Sequence, residues 1–511
     1  MKMIPLVFVA MLLQVVPCAA ATEVAAWFVP SAAKVMRDAK PDGTALEWEL
    51  AAAKNEVEAC QLVLSSSEPV ECVTVSATPL TKSGGTKTLQ PELFRVGYIP
   101  VTREKIPHPD PLPPLAGPIS LQPGLAQPIW ISVRVPKDAE PGVYSGRVNV
   151  KVGEVTAAYS LSLKIWDFAL PETPSCTTAF GAGYEVAAEQ HGLAPKTPEA
   201  DALAKKYYEF LLERRLSPIQ LPIDLMSDEA PKYLNDPRMT SYHIPVGGKS
   251  DAELKSVVER LLAGGWFAKG YFYEVDEPVN KAAYDAFSTV TDRLRKIEPR
   301  YRIVAPFYAN PDFDSNLRTA DLMLGRLNVW CPHSDYLDAN PDFAPFLHAR
   351  RNAGETIWWY VCNNPREPHT NLQIDQNGMA HRALLWQQKR WGIDGLLYWA
   401  TNYWPKTLGD PWENMDTIGT GYFGDGSLLY PGKKVGIDGP VSSIRLEVLR
   451  DSLEDYDYLS LADRRLGAEA TKGFVARIAR SSTDYERNAA AFELVRRELG
   501  AAIEKAVVKV E

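Results

Sequence analysis

Histidine and cysteine are scarce in this chain, with seven His and six Cys in 511 residues. No two His stand in H-x-x-x-H spacing and no two Cys in C-x-x-C spacing, so neither zinc pattern is present. No metal or other cofactor is therefore expected. Positive charge is also in short supply: 55 Lys and Arg stand against 64 Asp and Glu, a formal net charge of −9. That balance argues against nucleic acid or an anionic membrane surface as the partner. Beyond the first residues no apolar run is long enough to cross a bilayer, and no membrane span is expected.

What is present begins with a leader. Lys2, the apolar run Ile4 to Val16 and Ala19-Ala20-Ala21 read as a secretory signal over residues 1–21, cleaved before Thr22. The mature protein is expected to be exported, periplasmic or extracellular. Pro17 before Cys18 argues against lipid attachment there. Five Cys remain after cleavage, an odd number; Cys60–Cys72 and Cys331–Cys362 are candidate bridges, and mostly buried thiols are expected. At 46% hydrophobic and 23% charged residues, the composition is that of a soluble globular protein with room for two or three domains.

Residues 22–170 carry short alternating runs between turn residues. Val57 to Leu64, Gln127 to Val135, Gly142 to Val152 and Ala158 to Trp166 predict strands of a β-sandwich. After the linker Leu170 to Pro174 the pattern changes. Helical stretches at 199–216, 254–262 and 282–296 alternate with short apolar runs. Those runs are Thr177–Gly181, Pro218–Pro222, Tyr242–Pro245, Gly270–Val275, Tyr301–Pro306, Leu327–Cys331, Thr356–Val361 and Gly395–Ala400. Eight such strands over residues 171–430 predict a (β/α)8 barrel. Residues 431–511 read as a C-terminal helical segment, Ser443 to Arg464 and Thr471 to Val507, packed on the barrel.

The fourth run ends in Glu274-Val275-Asp276-Glu277-Pro278. Carboxylates at the end of an apolar strand are costly unless paired or used, and the C-terminal strand ends of such a barrel carry its chemistry. The plainer alternative is that Asp-Glu-Pro opens the next helix. Other strand ends supply Tyr308 and Asn310, Trp330 and His333, Tyr360 with Asn363 and Asn364, and Trp399, Asn402 and Trp404. Acids, amides and aromatics on one rim suit a carbohydrate site, where rings stack on sugar faces and a carboxyl protonates the leaving oxygen. Adjacent acids do not readily flank a bond from opposite sides. They fit a scheme in which the sugar's own 2-acetamido group attacks, an exception to the two-carboxylate rule.

Several segments resemble glycoside hydrolase family 123, the β-N-acetylgalactosaminidases. They are Ala53 to Gln61, Gly142 to Gly146, Tyr273 to Pro278, Leu396 to Trp404, Gly424 to Gly432, and Ser443 to Glu447 with Arg450 to Tyr456. The resemblance implies that Glu277 is the general acid/base and that Asp276 orients the acetamido group. Tyr360, Trp399, Asn402, Trp404, Trp330 and His333 are expected as substrate contacts from strand-end position alone. Arg445, Glu447, Arg450, Glu454 and Asp455 are expected to form a structural ion-pair network on a helix. Two further readings stay open: a retaining glycosidase with Glu367 as protein nucleophile on a sugar without an acetamido group, and a non-catalytic glycan-binding protein.

Overall fold

The computed structural model describes residues 23–41, 46–101, 105–308, 316–339, 343–419 and 421–506. The expected leader over 1–21, Asn310 and Val507 lie outside these. All five described cysteines are free thiols, so neither candidate bridge forms. Cys331 is instead buried in the core of the second half.

The first half is β-rich. Val24–Pro30, Glu56–Ser66, Gln127–Val135 and Glu92–Arg95 form one antiparallel sheet. Ile119–Leu121, Val70–Ala77, Gly142–Val152, Val155–Ala169 and Glu47–Lys54 form a second, its last pair parallel. Leu62, Leu64, Ile129, Ile131, Val148 and Leu163 fill the space between them. Along Gly142–Val152, Tyr144, Val148 and Val150 point inward, the period-two pattern of a half-buried strand. Gln127–Val135 and Glu56–Ser66 are buried on both faces. The reason lies at the far end of the chain. Trp130 and Ala59 share a second core with Val448, Tyr458 and Phe492 from the C-terminal helices.

Those helices touch both halves. Ile444–Arg465 packs against helix Gly378–Trp391 of the α/β region and also on the N-terminal sheet, so it is wedged between the two. Its start is fixed by the Ser443 side chain accepting from Leu446 N. The expected Thr471 to Val507 stretch divides into Ala468–Ile478 and Ala489–Lys505.

In the second half, five parallel strands run in the order Thr177–Phe180, Gly395–Tyr398, Thr356–Tyr360, Val329–Pro332, Val304–Phe307. Tyr242–His243 and Gly270–Tyr271 form a separate parallel pair. One or two main-chain bonds join each piece to the next. Ile219 N donates to Phe180 O at 2.8 Å, His243 N to Ile219 O at 3.0 Å, and Val304 N to Phe272 O at 3.0 Å. The Pro218 segment makes only an isolated bridge, because proline offers no N–H to a ladder. Helices between the strands have sequence-coded starts: Thr197 caps Pro198–Leu212, a Ser250–Glu253 capping box opens Asp251–Ala263, and Asn280 caps Lys281–Ile297.

Side chains of these strands sort by parity. Ala179, Tyr271, Val304, Val329, Trp358, Tyr360 and Leu397 gather in one inner cluster. Their neighbours Phe180, Phe272, Ala305, Trp330, Trp359 and Tyr398 face the opposite way, into the core that the helices cover.

Candidate active site

A cavity of about 590 Å³ opens where these strands end. Strand four stops at Phe272, and Tyr273, Asp276 and Glu277 lie in the loop that follows. The next helix begins only at Lys281, with no acid in its first turn, so the two carboxylates are not a helix start. Glu277 adopts φ +41°. That left-handed conformation is uncommon for any residue with a Cβ, and a following proline disfavours it further toward extended backbone. Strain of this kind persists where surrounding structure holds it, commonly at functional sites.

Each acid has one side-chain partner. Tyr273 Oη donates to Asp276 Oδ1 at 2.7 Å. Tyr360 Oη donates to Glu277 Oε1. Glu277 is half-buried, and that burial pushes its carboxyl above the usual carboxylate range; the Asp276 charge adds to the rise, while the Tyr360 bond and His333 oppose it. Glu277 thus holds a proton more readily than an ordinary glutamate.

His333 follows strand six and lines the cavity. Its Nδ1 lies 2.5 Å from Asp335 Oδ1 and its Nε2 2.8 Å from Asn364 O. Burial alone would lower the imidazole, but Asp335 and the neighbouring Cys362 outweigh it and raise His333 to about 10. The ring is a cation at neutral pH, packed edge-on to Tyr360 with centroids 4.9 Å apart. Trp399 forms another wall, its Nε1 donating to Asp425 Oδ1 at 3.1 Å, with Tyr398 Oη donating to the same oxygen at 3.2 Å. Burial raises Asp425 to about 6. Gly426, at φ +66°, lies flat against this indole: a Cβ there would come within 2.2 Å of Trp399 Cζ2.

Of the residues expected from the sequence, Asp276, Glu277, Tyr308, His333, Tyr360, Asn363, Asn364 and Trp399 come together around this cavity. Trp330, Asn402 and Trp404 do not. Trp330 has the wrong parity; it is fully buried in the outer core, its Nε1 donating to Glu355 at 2.6 Å. Trp404 is buried and donates to Ser427 Oγ at 2.7 Å. The Asn402 amide clamps both main-chain groups of Gly183, at 2.8 and 2.9 Å. Glu367 is exposed and does not line the cavity. Glu274 accepts from Val246 N and meets His243 Nε2, both at 3.2 Å, and so ties strand four to strand three. Tyr273, Asp335 and Asp425 are cavity residues that strand-end reasoning passed over.

Fold and sequence define a hydrolase of glycosidic bonds. Residues 250–462 match the glycoside hydrolase 123 catalytic domain and residues 33–152 the glycoside hydrolase 123 N-terminal domain, together well over half of the chain. The chain belongs to glycoside hydrolase family 123. It is similar in structure to a family 123 glycoside hydrolase from Clostridium perfringens whose hydrolysis of glycolipid glycans has been described. The TM-score is 0.68 and the identity 14%, over 94% of this chain and 97% of that one. Weaker likenesses include a β-galacturonidase from Eisenbergiella tayi, with TM-score 0.32 and 9% identity over 78% and 69% of the two chains. Another is a β-glucuronidase from Parabacteroides merdae, with TM-score 0.30 and 10% identity over 79% and 50%. No curated protein matches.

Proposed function

We propose that this glycoside hydrolase is an exported, retaining β-N-acetylhexosaminidase that prefers β-GalNAc and uses the substrate's acetamido group as nucleophile. The observation that carries the reading is the Asp276–Glu277 pair in one cavity, with Glu277 raised by burial and neither acid paired with an Arg or Lys among the described residues. Glu277, as an acid, gives its proton to the leaving oxygen; as a base, it then takes one from the incoming water. Asp276, anchored by Tyr273, orients the acetamido N–H and balances positive charge on the oxazolinium ring. Tyr360 fixes the Glu277 carboxyl, Trp399 offers a flat face to the sugar ring, and Asp425, held by Trp399 and Tyr398, accepts from a sugar hydroxyl. His333 supplies the cavity's cation. Export over residues 1–21 and division into a β-sandwich at 22–170, a closed (β/α)8 barrel at 171–430 and a helical segment at 431–511 belong to the same reading. The main-chain bonds that link all eight parallel segments in turn support the barrel.

A second reading keeps Glu277 as acid but uses a protein nucleophile. Glu367 does not serve, since it lies outside the cavity; Asp425, which faces the cavity, is the carboxylate that would. Kinetics on matched aryl β-glycosides with and without the 2-acetamido group separate the two. Turnover of the acetamido sugar alone is expected. Equal turnover of both would sink substrate assistance, and activity on neither would leave a binding protein.

A further inference from the structure

Arg445 departs from the ion-pair network expected of its helix. Its carboxylate partner is Asp110 of the N-terminal half, with Nε donating to Oδ1 and Nη2 to Oδ2, each at 2.9 Å. Tyr430 Oη donates to the same Oδ2 at 2.6 Å, and Ile444 N to Asp110 O at 2.7 Å. The other donors of the guanidinium reach main-chain carbonyls. Nη1 donates to Leu372 O and Gly424 O, both at 2.9 Å, and Nη2 to Ser427 O at 2.6 Å. All five N–H groups are thus used, and both Arg445 and Asp110 are fully buried.

Those carbonyls belong to the cavity's own loops. Gly424 and Ser427 flank Asp425, and Leu372 lies on the loop after strand seven that brings Asn363 and Asn364 to the cavity. The glycine on each side of Asp425 fits what it meets. A Cβ on Gly424, at φ +81°, would come within 2.7 Å of Arg445 Nη1, just as one on Gly426 would strike Trp399. The loop is therefore clamped between the guanidinium on one side and the indole on the other. Charge follows the same path, since Arg445 joins Trp399 and Tyr398 in opposing the burial that raises Asp425.

We propose that Arg445 is a positioning residue for sugar binding: through the carbonyls of Gly424 and Ser427 it sets the Asp425 carboxylate, and Asp110 fixes Arg445 from the N-terminal half. The inference rests on the glycosidase reading above, in which Asp425 accepts from a sugar hydroxyl, and adds the buried residues that hold that contact. Lysine is no substitute here, because an ammonium has three donors and no planar fork. The N-terminal half thereby shapes sugar binding through a buried contact.

The test reads the loop and the activity separately. Trp399 Nε1 donates to Asp425, so its indole N–H resonance, identified by its loss in Trp399→Phe, reports where that carboxylate lies. In Arg445→Lys the resonance is expected to move upfield as that bond lengthens. Turnover of an aryl β-GalNAc glycoside is expected to lose about 10–100-fold in kcat/KM, mostly through KM, the worth of one hydrogen bond to a charged group. Asp110→Asn, at a residue that does not line the cavity, is expected to shift both readouts the same way by less, and it serves if Arg445→Lys fails to fold. Arg496→Met, whose lost bonds go to Asp455, Ala51, Glu56 and Glu58, loosens the same helix away from residues 424–427 and is expected to leave the resonance in place. An unmoved resonance in folded Arg445→Lys or Asp110→Asn would reduce Arg445 to a staple between the halves and overturn the proposal. The same displacement in Arg496→Met, or a loss carried by kcat with KM unchanged, would overturn it too. Absence of turnover by the unsubstituted enzyme would count against the glycosidase reading, and the resonance would still decide whether Arg445 sets Asp425.

Discussion

Two groups of acids in this molecule have opposite neighbours. Along helix Ile444–Arg465, Asp451, Asp455 and Glu447 meet guanidinium groups at every turn. Arg382 bonds Asp451 and Asp455, Arg496 bonds Asp455 with Glu56 and Glu58, and Arg214 with Arg450 bonds Glu447. Nearly all of these groups are buried. In the cavity, Asp276, Glu277 and Asp425 are bonded by tyrosine and tryptophan, and no Lys or Arg lines it among the described residues. Burial acts in both settings, in the second on Asp425 and partly on Glu277, while Asp276 is exposed. Burial would raise Glu447 in the first, but Arg214 and Arg450 overcome it and hold that carboxyl at about 2. With no Arg or Lys in the second, and only His333 and the Tyr360 bond to oppose it, burial leaves Glu277 raised. Two guanidinium groups hold Glu447 ionised as a fixture of the fold, whereas Glu277, bonded by a neutral donor, is left able to exchange a proton.

The contrast is sharpest if each group is altered alone. Glu277→Gln is expected to cut hydrolysis by about 10²–10⁴-fold, the usual worth of a general acid, while the thermal midpoint stays put. A fall in stability with activity kept would place Glu277 among the fixtures. Arg496→Met is expected to cost about 3–5 kcal/mol in denaturant unfolding, since it strands Glu56 and Glu58 without their cation and leaves Asp455 to Arg382 alone. A loss below about 1 kcal/mol, the level of an exposed pair, would erase the distinction. The smallest effect concerns pH. Tyr360 donates to ionised Glu277 and so lowers its pKa; Tyr360→Phe removes that bond and raises it. Activity needs protonated Glu277 and falls as pH rises through that pKa. The alkaline limb of kcat/KM is therefore expected to move to higher pH in Tyr360→Phe, and a limb that moved down would reverse the assigned sign.

Much of this was legible in the sequence, and the failures share a cause. Strand positions and the change of pattern after Leu170 follow from periodicity, and Asp276-Glu277 stood out as charge at the end of an aromatic run. Trp330, Asn402 and Trp404 lie close to strand ends, but nearness in sequence does not fix which way a side chain faces. Parity decides it: with Tyr360 inward, Trp358 is inward too and Trp359 outward. Applied to strand six, the same alternation sends His333 to the cavity and Trp330 to the outer core. Applied to strand four, it would have added Tyr273 beside Tyr271. Asp425 was harder, because it sits on a loop whose course no periodicity encodes. Its one signal was an acid between two glycines, Gly424 and Gly426, soon after an aromatic strand. Asp335 depended on the fold of the loop after strand six.

The helix Ile444–Arg465, wedged between the sheet of the first half and the α/β region, has a consequence for how such a chain can be divided. A cut at residue 170 or 430 would pass through no compact boundary. It would leave Trp130 and Ala59 bare on one piece, and Arg382 facing water without Asp451 and Asp455 on another. The halves are therefore not interchangeable parts that could be shuffled onto other partners. They are held together by a helix that follows both in the chain, and the cavity reaches its final shape only after Ile444–Arg465 has been made.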